Sequence, residues 1–300
     1  FLEPDEVDER FPYVQTVGVH FATWCQTDGF IIHDQVYGEV LAAARKRGVL
    51  VILKHKVTGA HMNGQSLRSV AVQNVISQKE RKIPADIVVN ATNAWAPDVS
   101  QMLGGYKLSI DPRKRYLYFV EAGRGDQAYL FETAFGALPM IIGPNGAYSR
   151  PTPGGELMMG WLHHTEPVPN PSFESQDEIE TSFGVRDERS YGRHVLEEVS
   201  HWFPFAGTIG GVGRVATGYY AETPDRNPFI GYDPNVKSMI HVAGFSGHGL
   251  MHAPFSARIV AELVAAGTNL QNIILPELGE VDVAVYHPRR QFKRGESMVI

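Results

Sequence analysis

The segment Gly244-Phe245-Ser246-Gly247-His248-Gly249-Leu250-Met251, continued by His252-Ala253-Pro254, concentrates residue types that can hold a ligand. Glycines at 244, 247 and 249 permit a tight turn and close approach of backbone to a bound group. The apolar run Met239–Ala243 before them reads as a strand. Phe255, Ile259, Val260, Leu263 and Val264 repeat at helical spacing after them, with Pro254 suited to the first turn and Gly267 to the stop. Strand, glycine loop and helix in that order aim the helix-start N–H groups at the loop, where they favour negative charge. His248 either adds charge there or hydrogen-bonds within the loop. A tight turn without a ligand is the plain alternative. His248 and His252 have the i, i+4 spacing of metal ligands. Gly249 and Pro254 argue against one regular helix across them, and no third ligand is evident, so no metal is expected.

Other elements must position that loop. Asp34 to Arg47 reads as a capped helix with Tyr37, Val40, Leu41 and Ala44 on one face and Gly48 at its stop. Val49–Leu53 reads as a buried strand, paired in parallel with Ile87–Asn90 directly or through a neighbour. Val70–Gln78 alternates as antiparallel structure does. Ala85 to Asn90 reads as an apolar strand that ends in small residues at Ala91, Thr92 and Asn93, before a helical segment containing Trp95. Asn93 tolerates a left-handed turn. From residue 110 to 214 the pattern changes to short strands, at 115–120, 140–142, 147–150 and 156–161, separated by Gly/Pro turns. A charged helix near 187–203 follows, then the glycine run Gly207–Gly213, which reads as a loop. The expected division is 1–109 with 215–272 as one α/β unit, 110–214 as an inserted antiparallel α+β unit, and 273–300 as a C-terminal tail.

The chain has 300 residues and a formal net charge of −6. No basic stripe suggests nucleic acid. The cluster Arg113-Lys114-Arg115 reads as a solvated or ligand-facing turn. Cys25 is the only cysteine, so no intramolecular disulfide or cysteine metal cluster can form. No apolar run has the length of a membrane span, and no signal peptide is visible. The chain opens on the acidic, loop-like stretch Glu3–Glu9.

Gly218 to Pro254, with Asp225–Gly231 and Gly244–Gly249 at its centre, resembles the flavin-binding segment of the D-amino-acid oxidase superfamily. It is similar in particular to the sarcosine oxidase, dimethylglycine dehydrogenase and FAD-dependent oxidoreductase domain-containing branches. The resemblance implies an α/β, Rossmann-like FAD-binding domain with an inserted substrate domain. That family opens on a strand, a Gly-x-Gly-x-x-Gly turn and a helix. No such unit occurs here, so an N-terminal truncation is expected. The resemblance further implies FAD contacts from Val57, Ala91, Thr92, Asn93, Trp95, Gly218, Gly244, Ser246, Gly247, His248, Gly249, Leu250 and Met251. For Val57, an ordinary buried strand valine is an equal reading. Bulk at Gly247 is expected to exclude the cofactor while sparing the fold.

The implied chemistry is oxidation of a small amine at its α-carbon, with His248 as a charge near the flavin. Tyr148 aligns with a tyrosine that binds substrate carboxylate, and Arg150 follows on the same strand face. A surface-exposed strand pair is the alternative for both. Covalent sarcosine oxidases carry cysteine where Gly218 stands, so no thioether to FAD is expected there. Lysines of those oxidases fall at Met158 and Met251, leaving no cation at either place to favour reduction of dioxygen. A dehydrogenase passing electrons to a protein or a quinone is the expectation. A flavin-holding scaffold, similar to family members that assist assembly of respiratory complex I, is the alternative. The cytoplasm is expected for a bacterial source and the mitochondrial matrix for a eukaryotic one.

Overall fold

The computed structural model describes residues 1–121, 138–161, 167, 171, 191–204, 206, 212–276 and 278–292. The glycine run 207–211 and the expected start of the charged helix at 187–190 lie outside them. We number the elements in chain order: α1 (Pro4–Arg10), α2 (His33–Lys46), β1 (His55–Asn63), β2 (Ser66–Asn74), β3 (Glu80–Pro84), β4 (Val88–Asn90), α3 (Ala96–Met102), β5 (Asp111–Glu121), β6 (Ile141–Ile142), β7 (Tyr148–Pro151), β8 (Glu156–Gly160), α4 (Tyr191–Trp202), β9 (Val212–Glu222), β10 (Phe229–Tyr232), β11 (Met239–Ala243), α5 (Gly249–Ala266), β12 (Asn272–Leu275) and β13 (Gly279–Asp282).

Parallel pairing occurs between β4 and β11, with Val88, Val89 and Asn90 opposite Met239, Ile240 and His241. β10 adds to β11 in antiparallel fashion. β10 is buried throughout and β11 nearly so, as expected of strands covered on both faces. Ile259 and Leu263 of α5 pack with Ile230, Tyr232 and Ile240, and Ile273 joins the same cluster. Gly267 closes α5 in the left-handed conformation, at φ 69°, with its N–H on the Leu263 carbonyl.

Four sequence expectations are corrected. Val49–Leu53 forms no strand, and Leu50 is 79 % exposed. An apolar run becomes a strand only beside an edge that pairs with it, and β11 is the parallel partner of β4. Helix α2 forms, but Asp34 does not cap it and none of its residues is buried. The opening stretch is the helix α1 rather than a loop. Pro4 occupies its first turn, and the Glu6 carboxylate accepts from the Glu3 N–H at 2.8 Å. Helix α5 starts at Gly249 and runs through Pro254. The ring therefore costs one interior i→i−4 bond instead of sitting in the first turn.

β5 to β9 form one antiparallel sheet in the order β6-β7-β8-β5-β9, separate from the sheet holding the parallel pair. Tyr116, Tyr118 and Val120 point from β5 into a core with Met159 and with Val195, Val199 and Phe203 of the α4 region. The opposite face carries Arg113, Arg115, Leu117 and Phe119, paired with Tyr220, Gly218, Ala216 and Arg214 of β9. Residue 215 lies inside β9, so the division expected there cuts a paired strand. The described part of the segment expected as the 273–300 tail is folded onto the rest of the chain. β12 and β13 form a hairpin, and Arg290 closes onto the 223–228 turn.

Candidate active site

β4 and β11 both end, side by side, in loops with left-handed residues. Asn93 has φ 49°, Gly244 82°, Ser246 50° and Gly247 98°. In open α/β sheets, the crevice beyond the carboxyl ends of parallel strands is where ligands bind. The two loops are joined directly, because the Gly244 N–H donates to the Asn93 side-chain oxygen at 3.1 Å. Ser246 ties the second loop to β9. Its N–H donates to the Ala221 carbonyl at 2.9 Å, and its hydroxyl accepts from the Thr223 N–H at 3.2 Å.

Each expected contact residue can now be placed. Ala91 is exposed, and Thr92 donates its hydroxyl to Asn90 Oδ1 at 2.6 Å. Trp95 donates its indole N–H to the Pro171 carbonyl at 2.8 Å and meets Tyr219 edge-on. His248 is the residue preceding α5, its ring 5.9 Å from that of His252. Leu250 is half-buried, and Met251 is 70 % exposed on the first turn of α5. Val57 lies apart on β1, where it packs against the cluster of Leu67, Leu103, Val236 and Met239. Among the described residues no group of three His, Cys, Asp or Glu is placed to hold a metal.

Gly247 has a reason to be glycine within the protein itself, so bulk there is not expected to spare the fold. A Cβ there would lie 2.6 Å from a ring carbon of Tyr220, in a conformation that side chains rarely adopt. The clash is with the protein itself. Gly247→Ala is therefore expected to lower stability by about 1–3 kcal/mol and to displace the Tyr220 ring. Urea unfolding and near-UV circular dichroism read the two effects. A variant as stable as the parent, with an unchanged aromatic spectrum, would refute this assignment.

Beside the loops, the second face of the antiparallel sheet holds a cavity of about 200 Å³. Arg115, Tyr148, Trp161, Gly218 and Tyr220 are among its walls. A Cβ on Gly218 would meet nothing within 4 Å, so that position borders open space. Burial pushes the Tyr148 phenol above its ordinary value, more than Arg115 and Arg150 pull it down. Burial likewise raises Tyr220. Both rings therefore present a hydroxyl at neutral pH. Arg150 shares this sheet face but is not among the described cavity walls. Its guanidinium lies 4.4 Å from the Phe30 ring centre and donates to the Pro151 carbonyl. Met158 stands opposite Arg150 in the β7–β8 pairing and is buried.

Sequence reasoning put Arg115 at the start of a strand but gave it no role in a site. The Arg113-Lys114-Arg115 cluster, expected as a turn before that strand, lies wholly inside β5, so alternate residues take opposite faces. Arg113 and Arg115 both reach the Glu222 carboxylate, and Arg115 also lies over the Tyr220 ring at 5.4 Å. Glu222 divides its charge between the two guanidiniums, and Asp111 lies 3.9 Å from Arg113, so Arg115 brings to the cavity wall a cation whose Glu222 partner is shared. The alternation of aromatic residues at 116 and 118, carried back to Arg113, was the available signal that the strand starts earlier than 115.

A family model described as FAD dependent oxidoreductase matches residues 1–263. The chain belongs to the DAO family of FAD-dependent oxidoreductases. It is 28 % identical over 291 residues to the bovine (Bos taurus) FAD-dependent oxidoreductase domain-containing protein 1, covering 89 % of this chain and 56 % of that protein. It is 25 % identical over 277 residues to monomeric sarcosine oxidase of Bacillus sp. (strain B-0618), covering 91 % and 65 %. The chain thus spans little more than half the length of the first of these relatives. Among solved structures, the L-proline dehydrogenase from P. horikoshii matches with a TM-score of 0.74 and 27 % identity, over 96 % of this chain and 67 % of that one. FAD is the cofactor of this family. The paired loops fit it at one end: the first-turn amides of α5 donate no capping hydrogen bond to the side chain before the helix, and the open side of Gly218 leaves room for a bound group.

Proposed function

We propose that the protein oxidises a small primary or secondary amino acid at the carbon bearing nitrogen, and that it does so as a dehydrogenase. The cavity carries the reading, because a small site with one cationic corner and hydroxyl-bearing aromatic walls suits an amino acid. Arg115 takes the substrate carboxylate, a planar guanidinium being matched to two carboxylate oxygens. The Tyr148 and Tyr220 hydroxyls orient the same end, and the Trp161 ring closes a wall against water. FAD, when bound, supplies the two-electron acceptor for converting C–N to C=N. Asn93, Gly244, Ser246, Gly247 and the first turn of α5 would hold it. The α5 amides favour negative charge at the cofactor edge they face.

Met158 supports the dehydrogenase mode. It lies on the same sheet face as Tyr148 and carries no charge where the resemblance to sarcosine oxidases implies a lysine. The FAD-loaded protein is expected to reduce a quinone or dye in the presence of an N-methyl or cyclic amino acid much faster than it forms hydrogen peroxide. Peroxide formation at the dye-reduction rate would sink the dehydrogenase mode. Absence of anaerobic flavin bleaching with any amino acid would sink the substrate class.

A further inference from the structure

His241 is an anomaly. It is 0 % exposed in the middle of the apolar strand β11, and Asp233 beside it is equally buried at the side chain. A buried polar network of this kind is seldom more stable than an apolar replacement of the same shape. Its geometry therefore calls for another account.

Asn90 reveals one. It ends β4, one residue before the turn that carries Ala91 to Trp95. Its orientation is fixed by two backbone groups whose roles cannot change. The Thr92 N–H must donate, and it meets Asn90 Oδ1 at 3.4 Å; the Ala96 carbonyl must accept, and it meets Nδ2 at 3.0 Å. The amide nitrogen therefore also faces His241 Nδ1, at 3.4 Å. That ring nitrogen has to accept, so the imidazole proton sits on Nε2, which donates to Asp233 Oδ2 at 2.7 Å. Asp233 is in turn immobilised by the N–H groups of Tyr106, Asn235 and Val236. The chain of contacts runs from the β10–β11 turn, through the strand pair, to the turn after β4. It continues from Asn93, in that turn, to the Gly244 amide of the second loop.

We propose that His241 is a positioning residue. Held as the neutral Nε2–H tautomer by Asp233, it locks the Asn90 amide and so sets the geometry of the 91–95 turn against the Gly244–Gly249 loop. That the turn faces FAD rests on the proposed function; the lock itself does not.

The test uses the whole chain labelled with ¹⁵N-histidine and, separately, with 5-fluorotryptophan. His241, assigned by the signal lost in His241→Gln, is expected to show an unprotonated Nδ1 and a protonated Nε2 at neutral pH. In Asn90→Asp the facing amide hydrogens are gone and a carboxylate takes their place, so both ring nitrogens are expected to be protonated. An Nδ1–H tautomer in the parent chain would overturn the proposal. Trp95 reports on the turn, its fluorine signal assigned by Trp95→Phe. His241→Gln keeps a donor toward Asp233 but lacks an acceptor at the Nδ1 position, so the Trp95 signal should shift. His241→Asn restores that acceptor and should return the signal toward its parent position. Equal shifts in both variants, or none in either, would count against the lock. Added FAD is expected to bind roughly tenfold more weakly to His241→Gln than to the parent. If the parent itself takes up no FAD, the cofactor reading fails, and the ring and fluorine signals alone decide the lock.

Discussion

Arg290→Met is expected to cost about 3–5 kcal/mol of folding stability, the usual penalty for stripping one partner from a buried ion pair. The Arg290 guanidinium grips Asp225 through two bonds of 2.7 Å, and both side chains are 5 % exposed. It also donates to the carbonyls of Asn227 and Pro228 and lies 4.1 Å from the Phe229 ring centre. One residue near the end of the described chain thus holds the turn that leads from β9 into β10. Removing it strips the buried carboxylate of its cation and the Pro228 carbonyl of its Arg290 donor, leaving Asp225 to the Asn227 N–H and the Asn227 carbonyl to the Thr223 hydroxyl. Burial raises the Asp225 carboxyl, but Arg290 together with backbone N–H groups outweighs it and holds it below the ordinary 3.8. Asp233 behaves alike, with burial outweighed by His241 and three backbone N–H groups. A depressed carboxyl stabilises the fold above its unfolded value and loses that contribution as pH falls through its folded value. Stability is therefore expected to hold at neutral pH and to drop below about pH 4. In Arg290→Met the acid loss should be smaller, because the Asp225 share is already gone. Urea unfolding of both chains between pH 7 and 3 checks this, and parallel curves with no offset would refute it.

How far the fold could be read in advance depended on whether the information was local. β11, the glycine loop and the stop at Gly267 lie within thirty residues and carry their own punctuation. The left-handed turn at Asn93 was legible because few side chains tolerate that conformation. The Val49–Leu53 segment misled because an apolar run signals a strand only when a neighbour pairs with it, and pairing is not written in the run itself. Helix α5 passing through Pro254 was missed for a related reason: packing of Ile259 and Leu263 outweighs the one bond the proline removes. The cavity was hidden because its cation depends on Glu222, more than a hundred positions from Arg115. The role of His241 was not legible in its apolar strand, since the groups that satisfy it come from β4 and from the turn before β11.

Arg115→Met is expected to weaken binding of amino acid substrates and of simple carboxylate inhibitors by roughly thirty-fold or more, equivalent to about 2–5 kcal/mol for a desolvated charge pair. The substitution keeps a long apolar stem over the Tyr220 ring, so the loss reads charge rather than volume. Two companion variants make the attribution specific. Arg113→Met removes the other guanidinium on Glu222 without removing a described cavity wall; Glu222 is then left to Arg115 alone, so carboxylate binding should weaken, but far less than in Arg115→Met. Glu222→Gln removes the negative charge that Arg115 now shares with Arg113. The cationic corner then becomes more positive, and carboxylates should bind at least as tightly as before. Opposite signs at 115 and 222 are the signature of an anion site whose charge is held in check by its own glutamate. Titration of the FAD-loaded protein with a carboxylate inhibitor, followed by the flavin spectrum, measures all three. Equal weakening by Arg115→Met and Glu222→Gln would mean that the pair only braces β5 against β9. Unchanged binding in Arg115→Met would move the carboxylate elsewhere on the same face, which also carries Arg150.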